Sequence, residues 1–193
     1  MTSIRSLAVF CGSRLGNKPD YAAAGRTLGQ GMARAGIRLV YGGGRIGIMG
    51  VVADAVLEAG GQVLGVIPDF LTKMEVAHEN ATEMVVTDTM HTRKRRLYEE
   101  SDAFLIMPGG LGTFDEAFEI ITWRQLRLHD KPILICNAAG WAEPLVGAID
   151  QAIAQGFADP GCRRLFEVID SVEAVLDRLQ TLQAGAQGEP ELL

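Results

Sequence analysis

Cysteine is scarce in this sequence of 193 residues, which holds only Cys11, Cys136 and Cys162. Three scattered thiols make no disulfide framework, and a reducing compartment, the cytoplasm, is the expectation. Histidine is equally rare. His78, His91 and His129 stand apart, with no metal-ligand spacing among them. Basic charge is in deficit, with 18 Lys and Arg against 24 Asp and Glu, for a net charge of −6. That balance argues against nucleic acid as the main partner, because a phosphate backbone needs a basic face. A small anion in a local positive pocket stays open. No apolar run approaches the roughly 20 residues of a membrane span, and no signal-peptide pattern precedes the apolar segment Leu7–Cys11. There is no Gly-x-Ser-x-Gly elbow for a serine hydrolase, no Gly-Lys-Ser/Thr phosphate loop and no internal repeat.

Glycine is plentiful, at 23 residues, and much of it is clustered. Hydrophobic residues make up 48% and charged residues 22%, the composition of a chain that can bury a core. Short β-branched runs alternate with longer helical patterns. The expected strands are Ser6–Cys11, Arg38–Tyr41, Gln62–Ile67, Thr82–Val86, Ala103–Met107, Pro132–Cys136 and Phe166–Ile169. The expected helices are Tyr21–Ala35, Ile48–Ala59, Met90–Glu100, Thr113–Leu126, Glu143–Gln155 and Ser171–Gln183. Asp20 and Ser171 read as N-caps, and Gly36 and Gly60 as residues just past helix ends. The alternation predicts an α/β fold with a mostly parallel sheet covered on both faces, in one domain over 1–183. The polar tail 184–193 is expected to fray. Ligands in such folds bind at the carboxyl ends of strands.

Two glycine-rich turns lie at such ends. In the first, Tyr41 to Gly50, the spacing of Gly42, Gly44 and Gly47 matches a dinucleotide fingerprint, with Asp69 downstream as its acid. The match follows the second strand rather than the first. The second turn is Pro108-Gly109-Gly110-Leu111-Gly112-Thr113-Phe114-Asp115-Glu116. Here glycines would admit an anion close to backbone N–H groups at the positive end of a helix starting near Thr113. Glu116 then falls in the first turn of that helix. It either complements the helix dipole or has a chemical task, since a carboxylate near a bound phosphate is costly without a cationic partner. Ser13, in Cys11-Gly12-Ser13, is either a ligand contact or a simple turn residue.

The run Met90-His91-Thr92-Arg93-Lys94-Arg95-Arg96 carries four consecutive basic residues about 100° apart around a helix, so at most one or two can face a site. The strand before it, Thr82–Val86, is expected to neighbour the strand Ala103–Met107. That would open the basic helix at the same rim. Phe114, Phe118 and Ile121 have helical spacing and read as core.

The motifs PGGxGTxxE (Pro108 to Glu116) and MHxRK (Met90 to Lys94), with the Cys11-Gly12-Ser13 turn and the Tyr41–Gly50 loop, resemble the LOG ("Lonely Guy") family over about Leu7 to Ile169. Those proteins are cytokinin riboside 5′-monophosphate phosphoribohydrolases, often mislabelled lysine decarboxylases. The resemblance implies a Rossmann-like, doubly wound fold and a homodimer with its site near the subunit interface. It also implies hydrolysis of the N-glycosidic bond of AMP or isopentenyl-adenosine monophosphate, with no metal or redox cofactor. Arg93 and Glu116 would be the catalytic pair. Substrate contacts would come from Glu75, Lys94, Gly110, Leu111, Gly112, Thr113 and Thr122, and the turns at the strand ends add Ser13, Gly43, Gly44 and Gly109 as expected contacts. Leu111 stands where many members have an aromatic residue, and Phe114-Asp115 where many have a leucine and an acid. Two other classes compete: a non-catalytic nucleotide or molybdenum-cofactor carrier, which needs the cradle but not the acid, and a dinucleotide-dependent oxidoreductase built on Gly42–Gly47.

Overall fold

The computed structural model describes residues 4–72 and 77–187, with the side chains of 185–187 excepted. The strands are β1 (Ser6–Phe10), β2 (Arg38–Tyr41), β3 (Val63–Pro68), β4 (Glu83–Thr87), β5 (Ala103–Ile106), β6 (Ile133–Cys136) and β7 (Glu167–Ile169). They form one sheet in the order β4-β3-β2-β1-β5-β6-β7. Every pairing in it is parallel. The inner strands are continuous apolar runs because both faces are covered, whereas the edge strands β4 and β7 carry exposed Glu83 and Glu167.

The helices are α1 (Pro19–Arg34), α2 (Gly47–Glu58), α3 (Met90–Glu99), α4 (Leu111–Gln125), α5 (Glu143–Ala154) and α6 (Val172–Gln187). Alternate strand residues sort them into two layers. Leu7, Val9, Leu39 and Leu105 meet α1, α2 and α6 through Leu28, Val52 and Val175. Ala8, Phe10, Val40 and Ile106 meet α3, α4 and α5 through Leu97, Ile120 and Leu145. This is the doubly wound α/β arrangement. The chain leaves β1 in one direction to build β2–β4 and in the other to build β5–β7, so the switch point lies between the carboxyl ends of β1 and β5.

Several expectations need correction. β4 does not neighbour β5: it is at the far edge of the sheet, with β3, β2 and β1 between them. The crossover from β4 to β5 carries α3 back across the sheet, and that crossover brings it to the site. α1 is capped at Lys18 with Pro19 in its first position, so Asp20 sits in the first turn and caps nothing. Ser171 does accept from Ala174 N–H at 3.2 Å. Gly36 and Gly60 take the left-handed conformation past their helices, with φ of 67° and 78°. α4 begins at Leu111 rather than near Thr113. α6 continues to Gln187.

Candidate active site

Gly110 is the N-cap of α4, and the first helical hydrogen bond runs from Phe114 N–H to Gly110 O at 3.0 Å. The N–H groups of Leu111, Gly112 and Thr113 therefore lie outside the helix's own ladder and open toward the switch point. Gly12 N–H donates to Pro108 O at 3.0 Å, tying the ends of β1 and β5 together below them. A Cβ on Gly109 would run into Thr113 Oγ1, so only glycine lets this loop fold over the buried threonine. At Gly110 and Gly112 the opposite holds: a Cβ would meet nothing within 4 Å. Nothing in the packing demands glycine there, and the open side is the one an anion would fill.

Starting the helix at Leu111 moves Glu116 into the second turn, away from the positive end. The first turn of α4 holds no acid. Glu116 therefore does not serve as a dipole complement, and its partner is Arg93. Arg93 Nη1 lies 3.6 Å from Glu116 Oε1, and the two side chains are 7% and 12% exposed. Arg93 is fixed from behind. Its Nε donates to Val66 O at 3.1 Å and its Nη2 to Gly42 O at 3.3 Å. A buried guanidinium is tolerable only when bonded in this way. Gly42 is required here, because a Cβ would occupy the position of Arg93 Nη2.

The remaining sequence-expected residues divide. Lys94, the next residue on α3, points to α4 and pairs with Asp115 at 2.8 Å and Glu119 at 3.4 Å. Those hydrogen bonds and charges outweigh its partial burial and raise its pKa. Ser13 is exposed and lines a cleft of about 490 Å³ with Gly109, Gly110 and Leu111. Gly43 and Gly44 are buried and line no part of that cleft: Gly43 O accepts from His78 N–H at 3.0 Å, and Gly44 bridges Ala77. Glu75 lies outside the described residues. Thr122 is exposed on α4. Phe118 does not belong to the core: it is 42% exposed, while Ile121 is buried and Phe114 stacks on Trp141.

The dinucleotide fingerprint also resolves into packing. Its loop follows β2, one strand over from β1, Gly42 O is taken by Arg93, and Gly47 packs against the backbone of Ser13 and Arg14. The cleft contains four side chains that sequence reasoning passed over: Arg14, Tyr21, Ile48 and Trp141. Only Trp141, a short step beyond the end of β6, carried a usable signal, since strand carboxyl ends carry ligands. Among the described residues, no three His, Cys, Asp or Glu group to hold a metal. No helix among them is long and apolar enough to cross a membrane.

Fold and site together define a class: a doubly wound α/β protein with an open glycine-rich helix start at its switch point and a buried Arg–carboxylate pair on the helices beside it. The family profile described as "Possible lysine decarboxylase" matches residues 49–179. A "Probable cytokinin riboside 5'-monophosphate phosphoribohydrolase" of Oryza sativa subsp. japonica is 42% identical over 91% of this chain and 72% of its own length. The cytokinin riboside 5′-monophosphate phosphoribohydrolases of Arabidopsis thaliana and Rhodococcoides fascians are each 40% identical, covering 93% and 92% of this chain and 84% and 90% of their own. The molybdenum cofactor binding protein of Rippkaea orientalis superposes with a TM-score of 0.71 at 19% identity, over 94% of this chain and 99% of that one, a likeness of fold. The chain belongs to the LOG family.

Proposed function

We propose that this protein is a nucleoside 5′-monophosphate phosphoribohydrolase that releases free base and ribose 5-phosphate from N6-modified adenosine monophosphates and from AMP. Kinship with named phosphoribohydrolases supports the reaction. The observation that carries the mechanism is the ion pair between Arg93 and Glu116 beside an open cradle. A carrier needs the cradle alone and has no use for a largely buried acid held by a buried arginine.

The 5′-phosphate binds to the N–H groups of Leu111, Gly112 and Thr113 at the α4 N-terminus. That anchor places the sugar against Glu116. As the C1′–N9 bond breaks, its electron pair leaves with the base and positive charge develops on C1′ and the ring oxygen. The Glu116 carboxylate stabilises that charge and orients the attacking water, whose oxygen bonds to C1′ and whose proton is relayed to the departing base. Arg93 offsets the carboxylate's charge in the free enzyme. Two of its nitrogens are committed to backbone carbonyls, so it acts chiefly on Glu116 rather than as a phosphate clamp.

The enzyme works in the cytoplasm as a homodimer. Leu111, Phe118, Thr122 and Leu126 fall on the outward side of α4, and Leu111 is 85% and Leu126 63% exposed. That stripe, running from the cradle, is where a second copy docks. Light scattering on purified protein at micromolar concentration reads the assembly; a monomer would refute it. The activity is tested by chromatography of the protein incubated with AMP and with isopentenyl-adenosine monophosphate. Free adenine and free isopentenyladenine should appear alongside ribose 5-phosphate, and intact nucleotides in both reactions would refute the reading. An apolar slot discriminates by roughly 10–200-fold per methylene, and initial rates on the two nucleotides decide the preferred substrate.

A further inference from the structure

We propose that Trp141 is a positioning residue of the phosphate cradle, holding the Gly109 carbonyl through its indole N–H. The inference rests on the cradle reading above and names a side chain that acts on it from outside. Trp141 Nε1 donates to Gly109 O at 3.2 Å. Its ring also stacks on Phe114, with centroids 5.6 Å apart and planes at 18°. Phe114 is the residue whose N–H closes the first helical bond of α4 onto Gly110. One side chain therefore grips the cradle both before and after its N-cap.

The Gly109–Gly110 pair needs such a grip. Two adjacent glycines have the widest backbone freedom of any dipeptide. A planar trans peptide is one rigid unit, so holding the Gly109 carbonyl fixes the peptide plane that enters the N-cap Gly110, from which the N–H groups of Leu111, Gly112 and Thr113 follow. A cradle ordered in advance loses less entropy when the anion arrives.

Trp141 is itself built into place. It follows the 3₁₀ turn Ala138–Gly140, where Ala139 and Gly140 adopt φ of 51° and 80°. A left-handed alanine is strained, and such strain persists only where its surroundings impose it. Lys18 Nζ donates to Ala139 O at 2.9 Å, and Ala142 N–H to Asn137 Oδ1 at 2.9 Å. The turn is thus pinned to the loop before α1 on one side and to the end of β6 on the other.

The variant Trp141→Phe keeps the ring and removes the donor. KM for AMP should rise about fivefold, the factor one ordinary hydrogen bond supplies, with kcat within about twofold of wild type. Unchanged KM, or a loss confined to kcat, would overturn the proposal. A second measurement does not depend on that variant. In a Trp123→Phe background Trp141 is the sole tryptophan, and its emission should shift saturably with ribose 5-phosphate. Binding seen by calorimetry without any shift in emission would overturn the role of Trp141 while leaving the cradle intact. Absence of ribose 5-phosphate binding to the wild-type protein would remove the cradle, and the role of Trp141 with it.

Discussion

Glu116 Oε1 lies 3.6 Å from Nη1 of Arg93, while the same guanidinium donates through Nε to Val66 O and through Nη2 to Gly42 O. Two helices and the ends of two strands thereby meet at one cation. The strand ends hold the arginine, and the arginine holds the acid. The position of the carboxylate is set before any substrate arrives, as the role proposed for Glu116 beside a developing oxocarbenium ion requires.

Arg93→Ala should then damage fold and reaction together. It strands two buried carbonyls and leaves a largely buried carboxylate without its cation, at a cost of roughly 3 kcal/mol. Thermal unfolding should show a drop of several degrees, and turnover should fall at least a hundredfold. Arg93→Lys should rescue little, because a single ammonium cannot reproduce the forked geometry. Wild-type stability in Arg93→Ala would show that the carbonyl bonds contribute nothing.

Gly42→Ala reaches the same arginine from the other side. The added methyl takes the place of Nη2 and comes within 3.3 Å of Met49 Sδ. The guanidinium must leave the seat from which Nη1 meets Glu116, so kcat should drop while the fold survives at reduced stability. Steady-state kinetics with circular dichroism decides this, and wild-type kcat would refute the clamp.

Gly112→Ala separates ligand space from packing. A Cβ there meets nothing within 4 Å. Replacing glycine at a helical position should stabilise the protein by about 0.4–1 kcal/mol. The same methyl protrudes into the cradle and should raise KM for the nucleotide at least tenfold. A variant that is both more stable and unaltered in KM would place the phosphate elsewhere.

The thiols should be silent. Cys11, Cys136 and Cys162 are all buried. Burial, and secondarily the charge of Glu116, push the Cys11 thiol up. Burial pushes the Cys136 thiol up to about 11. With folded-state pKa values raised, the unfolded chain loses these protons first. The neutral thiols therefore stabilise the fold below about pH 8.5, and that contribution is lost as pH rises further. A chromogenic disulfide reagent at pH 8 should find no fast-reacting thiol in the native protein and all three after denaturation; one fast equivalent would contradict the buried placement.

Much of this was legible in the residues. Each inner strand is an apolar run bounded by turn residues, and the pattern puts every strand within a residue or two of its observed bounds. Glu116 is marked by its place in the glycine-rich turn, whereas only the resemblance to the LOG family singles out Arg93 among the four consecutive basic residues. Strand order was not legible: hydrophobic periodicity fixes which face of β4 is buried but not which strand lies beside it. The pattern starts α4 two residues late because Gly110 and Gly112 flank Leu111 and read as turn. Helical spacing puts Phe118 in the core because it cannot tell a stripe that faces the sheet from one that faces outward. Trp141 escaped because its partner is a backbone carbonyl, Gly109 O, which leaves no mark in a sequence.

The most direct measurement is Glu116→Gln, read by equilibrium binding of AMP and by release of free adenine in parallel. The carboxamide keeps the shape of the side chain and removes its charge. The nucleotide should bind within a few-fold of wild type, while adenine release falls by about a hundredfold to ten-thousandfold. Adenine released at the wild-type rate would exclude this carboxylate from the chemistry and reduce the site to a nucleotide holder.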